Sequence, residues 1–462
     1  MITPARVVLR VGSVTIIGAV LLSCGPGPKS KPVACVPAPP GPAELGPATG
    51  LSTPPAGAVV FDLRYLAQTG GADDIAYHSF WGYGVSSEEA QKDPFLEDVR
   101  KRNVRLHYTK NFCFKGREWA AVEHEGNQPR ALYFDLNADG KFNENERILP
   151  TKNADNGVDF ITPDFINTLE DGTKVLCRAL LRVDFYEGNS EPNCMWSPAA
   201  LLEGTAQLDG KPARLLLFAN QPGGVFDKFG SCNFALRLGD DATGTQNEYI
   251  PRETLSTLIA TEGKFYHLAV EGRRTNGLPA RVVLVEDDSP KGKLAIKLEA
   301  SDTLQVTADS IYLRGSDDAT VHLRCSPSKG PIALPVGSYS LTSGSLKYGS
   351  DSDAPWELWF REGPCAALKE GEQTLVTLGK PKLKVRAIDE KERYTSAARE
   401  CATFKKGTKI YLEPRIAGNG KEMYTHFRQR TDERNGWADR PPQVTITGPG
   451  GKQVLSAKME YG

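Results

Sequence analysis

The stretch that decides the fold is Arg130-Ala-Leu-Tyr-Phe-Asp-Leu-Asn-Ala-Asp-Gly-Lys-Phe-Asn-Glu-Asn-Glu146. Its beginning, Arg130 to Phe134, is rich in aromatic and apolar side chains and predicts a β-strand. The acidic and amide residues that follow, with Gly140 among them, predict a tight polar loop. Beyond the loop, Pro150 opposes a helix because it has no backbone N–H to donate. The stretch therefore favours a β-rich fold in which a strand leads into a loop.

The loop fits a known cation-binding pattern. Asp135 to Glu146 matches D-x-[DN]-x-[DN]-G-x5-E at every constrained position. Ca²⁺ takes about six to eight oxygen ligands, and the seventh loop position supplies a backbone carbonyl while the twelfth supplies a bidentate carboxylate. The expected Ca²⁺ ligands are Asp135, Asn137, Asp139, Lys141, Asn143 and Glu146. Gly140 allows the sharp turn, and Phe142 is expected to anchor the loop to a core.

Over these twelve residues the chain resembles EF-hand-type calcium loops. An EF-hand has a helix on each side of the loop, whereas here a strand precedes the loop and Pro150 follows it. The resemblance therefore implies a structural Ca²⁺ site without an opening switch, with a dissociation constant of about 10⁻⁵ to 10⁻³ M. The alternative is a turn rich in Asp, Asn and Gly that binds no metal.

The N-terminus has the layout of an export signal. Arg6 and Arg10 form a positive segment, and the apolar run 11–22 is too short for a comfortable membrane span. Residues 1–23 are therefore interpreted as a signal peptide, so the chain is expected outside the cytoplasm.

The end of this signal is Leu21-Leu22-Ser23-Cys24, which resembles the bacterial lipoprotein lipobox. The resemblance implies cleavage before Cys24 and attachment of lipid to its thiol, which makes the membrane a partner. Gly25 stands where inner-membrane lipoproteins carry Asp, so a lipid anchor in the outer membrane is expected, on the periplasmic face or at the cell surface. The alternative is an ordinary secretory signal cut nearby.

Of nine cysteines, eight remain besides Cys24. No C-x-x-C pair is present, which argues against a zinc ribbon and a thioredoxin-type site. In an oxidising compartment an even number of cysteines predicts structural disulfides, although eight cysteines allow about 105 connectivities. Pairing between neighbours is the simplest hypothesis and joins Cys194 to Cys232, Cys365 to Cys401, and Cys113 to Cys177.

Composition and strand patterns divide the chain into segments. They are the signal peptide 1–23, a Pro/Gly-rich tether 24–57, a β-rich domain 58–325 with the loop 135–146, a β-sandwich module 326–382, and a second sandwich or the rest of the same one, 383–462. Residues 334–341, Leu-Pro-Val-Gly-Ser-Tyr-Ser-Leu, resemble a strand of carboxypeptidase-regulatory-like and PEGA-type β-sandwich modules. The expected class is mainly β and multi-domain, a β-rich N-terminal domain with a few short helices followed by one or two antiparallel β-sandwich modules.

Three short helical segments are predicted within the β-rich domain. They are 86–100, which Pro94 interrupts, 163–169, and 251–256 with Pro251 in its first turn. A degenerate repeat is also predicted, because 130–142 can be laid on 214–226, where the strand, Gly224 and Phe226 remain but the Ca²⁺ ligands are lost.

Charge and motifs narrow the functional classes. The net charge is −1 and no basic patch with interleaved aromatic residues occurs, so nucleic acid is not an expected partner. None of the six histidines lies in an H-E-x-x-H motif, and the G-x-S-x-G, P-loop and dinucleotide-binding patterns are absent from the sequence. A non-enzymatic function is therefore favoured: binding, adhesion or envelope organisation, with a protein or glycan ligand.

Two alternatives stay open. The first is a surface protein that binds or hydrolyses carbohydrate, using distant carboxylates and exposed tryptophans. The tryptophans are Trp81, Trp119, Trp196, Trp356, Trp359 and Trp437. The second is an accessory subunit of the envelope that docks a sheet edge on a protein partner.

Overall fold

The structure is a computed structural model, and it describes the chain in separate ranges. These are residues 47–67, 80–82, 94–101, 105–110, 114, 119–126, 128–154, 157–184, 193–243, 252–299, 305–308, 310–316, 320–327, 330–349, 355–389, 410–430, 437–439, 443–447 and 453–458. Strands dominate them, with a single α-helix and two 3₁₀ turns. The predicted class, mainly β with several antiparallel sheets and more than one domain, is confirmed. None of the helical residues in these ranges belongs to a helix long and apolar enough to span a membrane.

The described chain divides into two compact units. The first contains the described residues up to Asp288 and those between 318 and 323, and the second contains the others from Ser289 onward. This division lies N-terminal to the predicted boundary at 325. Its cause is strand pairing, because residues 293–299 pair in parallel with residues 373–379 of the C-terminal region.

The strands of the first unit and its helix follow one another closely. They are β1 (Ala48–Thr49), β2 (Val59–Asp62), β3 (Arg64–Ala67), β4 (Phe80–Gly82), α1 (Pro94–Lys101), β5 (Arg105–Lys110), β6 (Trp119–Glu125), β7 (Gln128–Phe134), β8 (Arg147–Ile148), β9 (Lys152–Ala154), β10 (Gly157–Ile161), β11 (Phe165–Thr168), β12 (Lys174–Cys177), β13 (Ala179–Asp184), β14 (Asn193–Pro198), β15 (Ala200–Leu208), β16 (Lys211–Phe218), β17 (Asn233–Leu238), β18 (Glu253–Thr254), β19 (Leu258–Thr261), β20 (Lys264–Arg274) and β21 (Pro279–Glu286).

These strands form four antiparallel sheets and one hairpin. Sheet A has the order β1-β20-β21-β2 with β19 beside β20, sheet B is β18-β17-β16-β15-β3, sheet C is β4-β14-β13-β10-β9, sheet D is β5-β6-β7-β8, and the hairpin is β11-β12.

Sheets A and B share one hydrophobic core. Phe61 and Leu284 of sheet A belong to the same buried cluster as Leu217 of sheet B. The chain passes from one sheet to the other at Leu63, whose N–H donates to Ala280 O at 2.9 Å. Side chains on the two inner faces therefore form the core, as in two-layer sheet packing.

Sheets C and D share a second core that is rich in aromatic rings. Phe160 and Trp196 of sheet C are buried with Leu132 and Phe134 of sheet D. The ring centroids of Phe134 and Trp196 lie 5.4 Å apart. Sheet D is therefore held by its inner face close to the end of β7, where the polar loop begins.

The outer face of sheet D is covered by the helix. Leu96 and Val99 of α1 are buried against Tyr133, whose side chain points away from those of Leu132 and Phe134 because residues alternate along a strand. The rings of Phe95 and Tyr133 meet edge to face at 5.6 Å. The helix begins at Pro94, which fits the first helical position, whereas residues 86–93 of the predicted segment lie outside the described ranges.

The remaining strands belong to the second unit, with β25 at its border. They are β22 (Lys291–Glu299), β23 (Val306–Thr307), β24 (Ile311–Gly315), β25 (His322–Cys325), β26 (Ile332–Pro335), β27 (Gly337–Tyr348), β28 (Trp356–Arg361), β29 (Cys365–Leu368), β30 (Gln373–Gly379), β31 (Lys382–Asp389), β32 (Ile410–Ala417), β33 (Met423–Arg430), β34 (Trp437–Asp439), β35 (Gln443–Thr447) and β36 (Gln453–Lys458). The order β26-β22-β30 forms one sheet, β35-β36 form a hairpin, and the other ten strands form sheet E, whose main path is β25-β24-β27-β28-β33-β32-β31.

Two predicted helical segments are wrong. Residues 165–168 form β11, which pairs with β12, and the buried side chains of Phe165 and Asn167 alternate with half-buried or exposed neighbours. Glu253 and Thr254 form β18 beside β17. In both places pairing with a neighbouring strand outweighs the local helix signal, since strand formation depends on context more than on intrinsic propensity.

The folded part of the chain begins before the end of the predicted tether, 24–57. Ala48 and Thr49 pair with β20 at the edge of sheet A. Ser52 Oγ donates to Glu271 Oε2 at 2.9 Å, and the guanidinium of Arg281 donates to Ser52 O. Extended chain can add to a sheet edge, and residues 48–49 do so here, whereas residues 24–46 lie outside the described ranges.

Candidate metal centre

The polar loop connects β7 to β8 in sheet D. Leu132 pairs with Ile148 and Tyr133 pairs with Arg147, so an antiparallel ladder holds both ends of the loop. The prediction that a strand enters the loop is confirmed, and the chain leaves it as a strand too.

Two apolar side chains fix the loop to the two faces of sheet D. Leu136 packs against the aromatic core that contains Trp196. Phe142 packs against the cluster formed by α1 and Tyr133, as predicted. These anchors leave the polar residues between them to determine the loop's path.

Successive side-chain oxygens accept hydrogen bonds from the loop backbone. The Asp135 carboxylate accepts from Gly140 N at 2.9 Å and from Asp139 N at 3.3 Å. Asn137 Oδ1 accepts from Asp139 N, and Asp139 Oδ1 accepts from Lys141 N, each at 2.9 Å. Gly140 has a φ of +77°, the left-handed conformation that the motif requires at this position. The loop therefore curls around the carboxylate of Asp135.

Glu146 closes the loop from its other end. It ends the 3₁₀ turn Glu144–Glu146, and its side-chain oxygens accept from Leu136 N at 2.8 Å and from Asn143 Nδ2 at 2.9 Å. The residue is only 3% exposed. Burial raises the pKa of Glu146, and the negative charges of Asp135 and Asp139 raise it further, against hydrogen bonds from the backbone that lower it.

The six predicted ligands are thus brought into one loop, with unequal exposure. Asp135 and Glu146 are buried, Asn143 is half-buried, and Asn137, Asp139 and Lys141 are exposed. The described residues contain no group of three or more His, Cys, Asp or Glu side chains placed to hold a metal ion. The expected ligands of the loop include other groups as well: the side-chain amide oxygens of Asn137 and Asn143 and the backbone carbonyl of Lys141. Such an all-oxygen set fits a hard cation.

A second network stabilises the C-terminal end of the loop. Arg147 Nη2 lies 3.4 Å from Glu123 Oε1, and Tyr133 OH donates to Glu123 Oε2 at 2.7 Å. Burial, followed by the contact with Glu123, raises the pKa of Tyr133 to about 12. No sequence pattern predicted this network, because its members come from three different strands.

The predicted second copy of the loop, within residues 214–226, keeps the turn but has a different structural role from the first. Gly224 has a φ of +84° and Phe226 is buried, which matches the left-handed glycine and the apolar anchor of the first loop. However, Gly223 O accepts hydrogen bonds from Asn167 Nδ2 and Cys177 Sγ, both at 3.1 Å. This loop packs its backbone into the protein interior.

The positions of the described cysteines contradict one of the disulfide bonds that pairing between neighbours predicted. Cys194 lies in the core between sheets C and D, whereas Cys232 lies in the core between sheets A and B, so the predicted bond between them is not formed. No disulfide joins any two cysteines within the described ranges. Cys24, Cys113 and Cys401 lie outside those ranges, and the bonds predicted for Cys177 and Cys365 stay predictions.

The tryptophans with described side chains do not line a common groove. Trp196 is 1% exposed, Trp356 is half-buried, and Trp359 is 38% exposed. The carbohydrate alternative therefore depends on the surroundings of Trp359.

Comparison with known proteins adds no relative. No protein-family model, no curated protein and no solved structure matches the chain.

Proposed function

We propose that the protein is an exported lipoprotein of the cell envelope, anchored through Cys24, with a structural Ca²⁺ ion in the loop 135–146. Its role is binding, as an adhesion or envelope-organising protein, and not catalysis. The observation that carries the proposal is the path of the loop, which folds its backbone onto the side chains of Asp135 and Glu146 and whose ends are held by sheet D.

A divalent cation would relieve the electrostatic cost of this arrangement. Glu146 is buried next to two other carboxylates, and each of these factors disfavours its charged form. A bound cation is the largest local charge in such a site and reverses that balance. Asp135, Asn137, Asp139, Asn143 and Glu146 would bind it through side-chain oxygens and Lys141 through its carbonyl. The ion would then stabilise the connection between β7 and β8.

Calcium is expected to raise the melting temperature of the wild-type chain relative to chelator. With a dissociation constant of about 10⁻⁵ to 10⁻³ M, about 1 mM free Ca²⁺ would add about 0.4 to 2.7 kcal/mol to the free energy of unfolding. Asp135→Ala combined with Asp139→Ala should abolish this difference, because two of the ligands are lost. Melting curves in calcium and in chelator, together with calorimetric titration, measure it.

The matched control is Glu144→Ala. It removes an exposed carboxylate from the same loop at a position that supplies no ligand. The double variant also loses hydrogen bonds to the loop backbone, so the quantity compared is the calcium-dependent shift and not the melting temperature itself. An unchanged shift in the double variant, or an equal loss in the control, contradicts the metal site.

The membrane anchor is supported by the lipobox alone, since residues 21–24 lie outside the described ranges. In a lipoprotein-processing bacterial host, Cys24→Ala is expected to move the protein out of the detergent-soluble membrane fraction. It should also remove the mass of the acyl chains from the mature N-terminus. Fractionation and mass spectrometry measure both, and a membrane-bound, lipid-free wild type would exclude this anchor.

A further inference from the structure

The two buried carboxylates of the polar loop are attached directly to the strands that hold it. Asp135 follows the last residue of β7, and Glu146 precedes the first residue of β8. The distance between these carboxylates therefore depends on how the two strands pair. β8 has only two residues and lies at the edge of sheet D. A shift of one residue in its pairing would displace Glu146 and turn the neighbouring side chains to the opposite face of the sheet.

The side chain of Arg147 adds to the backbone bonds that fix this pairing. Arg147 is opposite Tyr133, and its Nε donates to Tyr133 OH at 3.2 Å and to Glu123 Oε2 at 3.4 Å. Tyr133 OH donates to the same Glu123 oxygen at 2.7 Å. The three residues come from β8, β7 and β6, so their side chains connect the edge strand to the two strands behind it. We name Glu123, Tyr133 and Arg147 the Tyr133 network.

The Tyr133 network is largely shielded from water. Tyr133 is fully buried, and the side chains of Glu123 and Arg147 are 14% and 28% exposed. Hydrogen bonds that involve a charged group are stronger than neutral ones, and shielding from water strengthens them further. The network is therefore able to hold a strand that has few backbone bonds of its own.

Tyr133 also contacts the middle of the loop. Phe142 packs against the cluster that Tyr133 forms with α1. Tyr133 thus lies two residues before Asp135, in the cluster that receives Phe142, and opposite Arg147. One side chain is linked to the beginning, the middle and the end of the loop.

The charge of Arg147 opposes cation binding, so its contribution to the site must be positional. A positive charge next to Glu146 repels a cation. Glu123 accepts hydrogen bonds from Arg147 and offsets this charge. The pair therefore adds connections between strands and little net charge.

We propose that Glu123, Tyr133 and Arg147 are positioning residues for the Ca²⁺ loop. They hold β8 in register, so that Asp135 and Glu146 are kept at the separation that one ion requires, and thereby set the affinity for calcium. None of the three belongs to the expected ligands. The inference rests on the proposed Ca²⁺ site and identifies the residues outside the loop on which that site depends.

Calorimetric calcium titration of the full chain compares the wild type with Tyr133→Phe. This substitution keeps the buried ring and removes only the hydroxyl that joins Glu123 to Arg147. The dissociation constant for calcium is expected to rise about threefold to tenfold, less than the roughly 10- to 100-fold typical of residues bonded directly to a metal ligand.

Arg147→Met separates position from charge. If Arg147 acted through its charge alone, its removal would tighten calcium binding, because a repulsive charge is lost. The positioning role predicts the opposite sign, a dissociation constant that rises by about the same factor as in Tyr133→Phe. If Tyr133→Phe fails to fold, as shown by its melting curve, Arg147→Met alone decides the outcome.

The matched control is Tyr65→Phe. It removes a buried tyrosine hydroxyl that donates to Asp164 Oδ1 at 2.9 Å, in the core between sheets A and B. It should lower the melting temperature in chelator and leave the dissociation constant for calcium unchanged. An unchanged constant in Tyr133→Phe, tighter binding by Arg147→Met, or an equal rise in the control overturns the positioning role, and calcium binding by the wild type would still support the proposed site. A wild type that binds no calcium rejects both.

Discussion

Asp164→Ala is expected to lower the free energy of unfolding of the first unit by about 3 to 5 kcal/mol. Arg178 Nε donates to Asp164 Oδ1 at 2.7 Å, and Tyr65 OH donates to the same oxygen at 2.9 Å. The Arg178 side chain is 6% exposed. Removal of the carboxylate leaves a buried guanidinium without its counter-charge, which costs more than the ion pair contributes. Asp164 is 20% exposed, so solvent screening favours the lower end of this range.

The expected loss of stability comes from the buried charge of Arg178. A second substitution separates this contribution from the effect of lost packing. Adding Arg178→Met to Asp164→Ala should recover part of the stability, because no ion then remains to be buried. Asp171→Ala, in the turn between β11 and β12, is the control and should have a much smaller effect, since that carboxylate is exposed. Denaturant unfolding followed by tryptophan fluorescence, to which the buried Trp196 contributes, measures all three variants. A double variant that is less stable than Asp164→Ala contradicts the argument.

Gly277→Ala is expected to destabilise the first unit by about 2 to 5 kcal/mol. Gly277 has a φ of +78°, and a Cβ there would lie 1.9 Å from Lys174 O. That oxygen belongs to the backbone of β12, so no side-chain rotation can relieve the clash. The neighbouring turn residue Asn276 accepts a hydrogen bond from Leu176 N at 2.9 Å, which holds the turn and β12 together.

Gly263→Ala isolates the conformational part of this effect. Gly263 has a φ of +82°, close to that of Gly277, but a Cβ at this position would have no neighbouring atom within 4 Å. The Gly263→Ala substitution should lower the free energy of unfolding by only about 1 to 2 kcal/mol, which is the penalty of a left-handed backbone for a residue with a Cβ. Chemical denaturation of the two variants side by side gives the difference, and equal losses would show that β12 moves away freely.

Much of the strand content could be predicted from side-chain patterns. The residues 264–270 and 280–285, whose apolar pattern is typical of strands, lie in β20 and β21, and the similar residues 175–177 and 179–184 lie in β12 and β13. The path of the polar loop was also predictable, because each position of its motif has a local role. Those roles involve residues less than a dozen positions apart, which is the range over which a sequence pattern is informative.

Features that depend on distant residues could not be predicted. The pairing hypothesis for Cys194 and Cys232 used only their order in the chain, whereas the two thiols belong to cores formed by different pairs of sheets. The ion pair of Arg178 and Asp164 with Tyr65 joins β3 to the segment around β11 and β12. None of these relations has a signature in local periodicity or spacing.

The short strand β1 has a mechanical consequence. Among the described residues, the first that attach the chain to the first unit are Ala48 and Thr49, which pair with β20 and are loaded first by tension from the N-terminal side. The next attachment is Ser52, held by Glu271 and Arg281, and β2 is loaded only after both have yielded. A two-residue strand detaches more easily than the longer strands behind it, since few hydrogen bonds hold it. Under a pulling force the unit would therefore lengthen first by the release of residues 48–58, which absorbs load while the two cores remain intact.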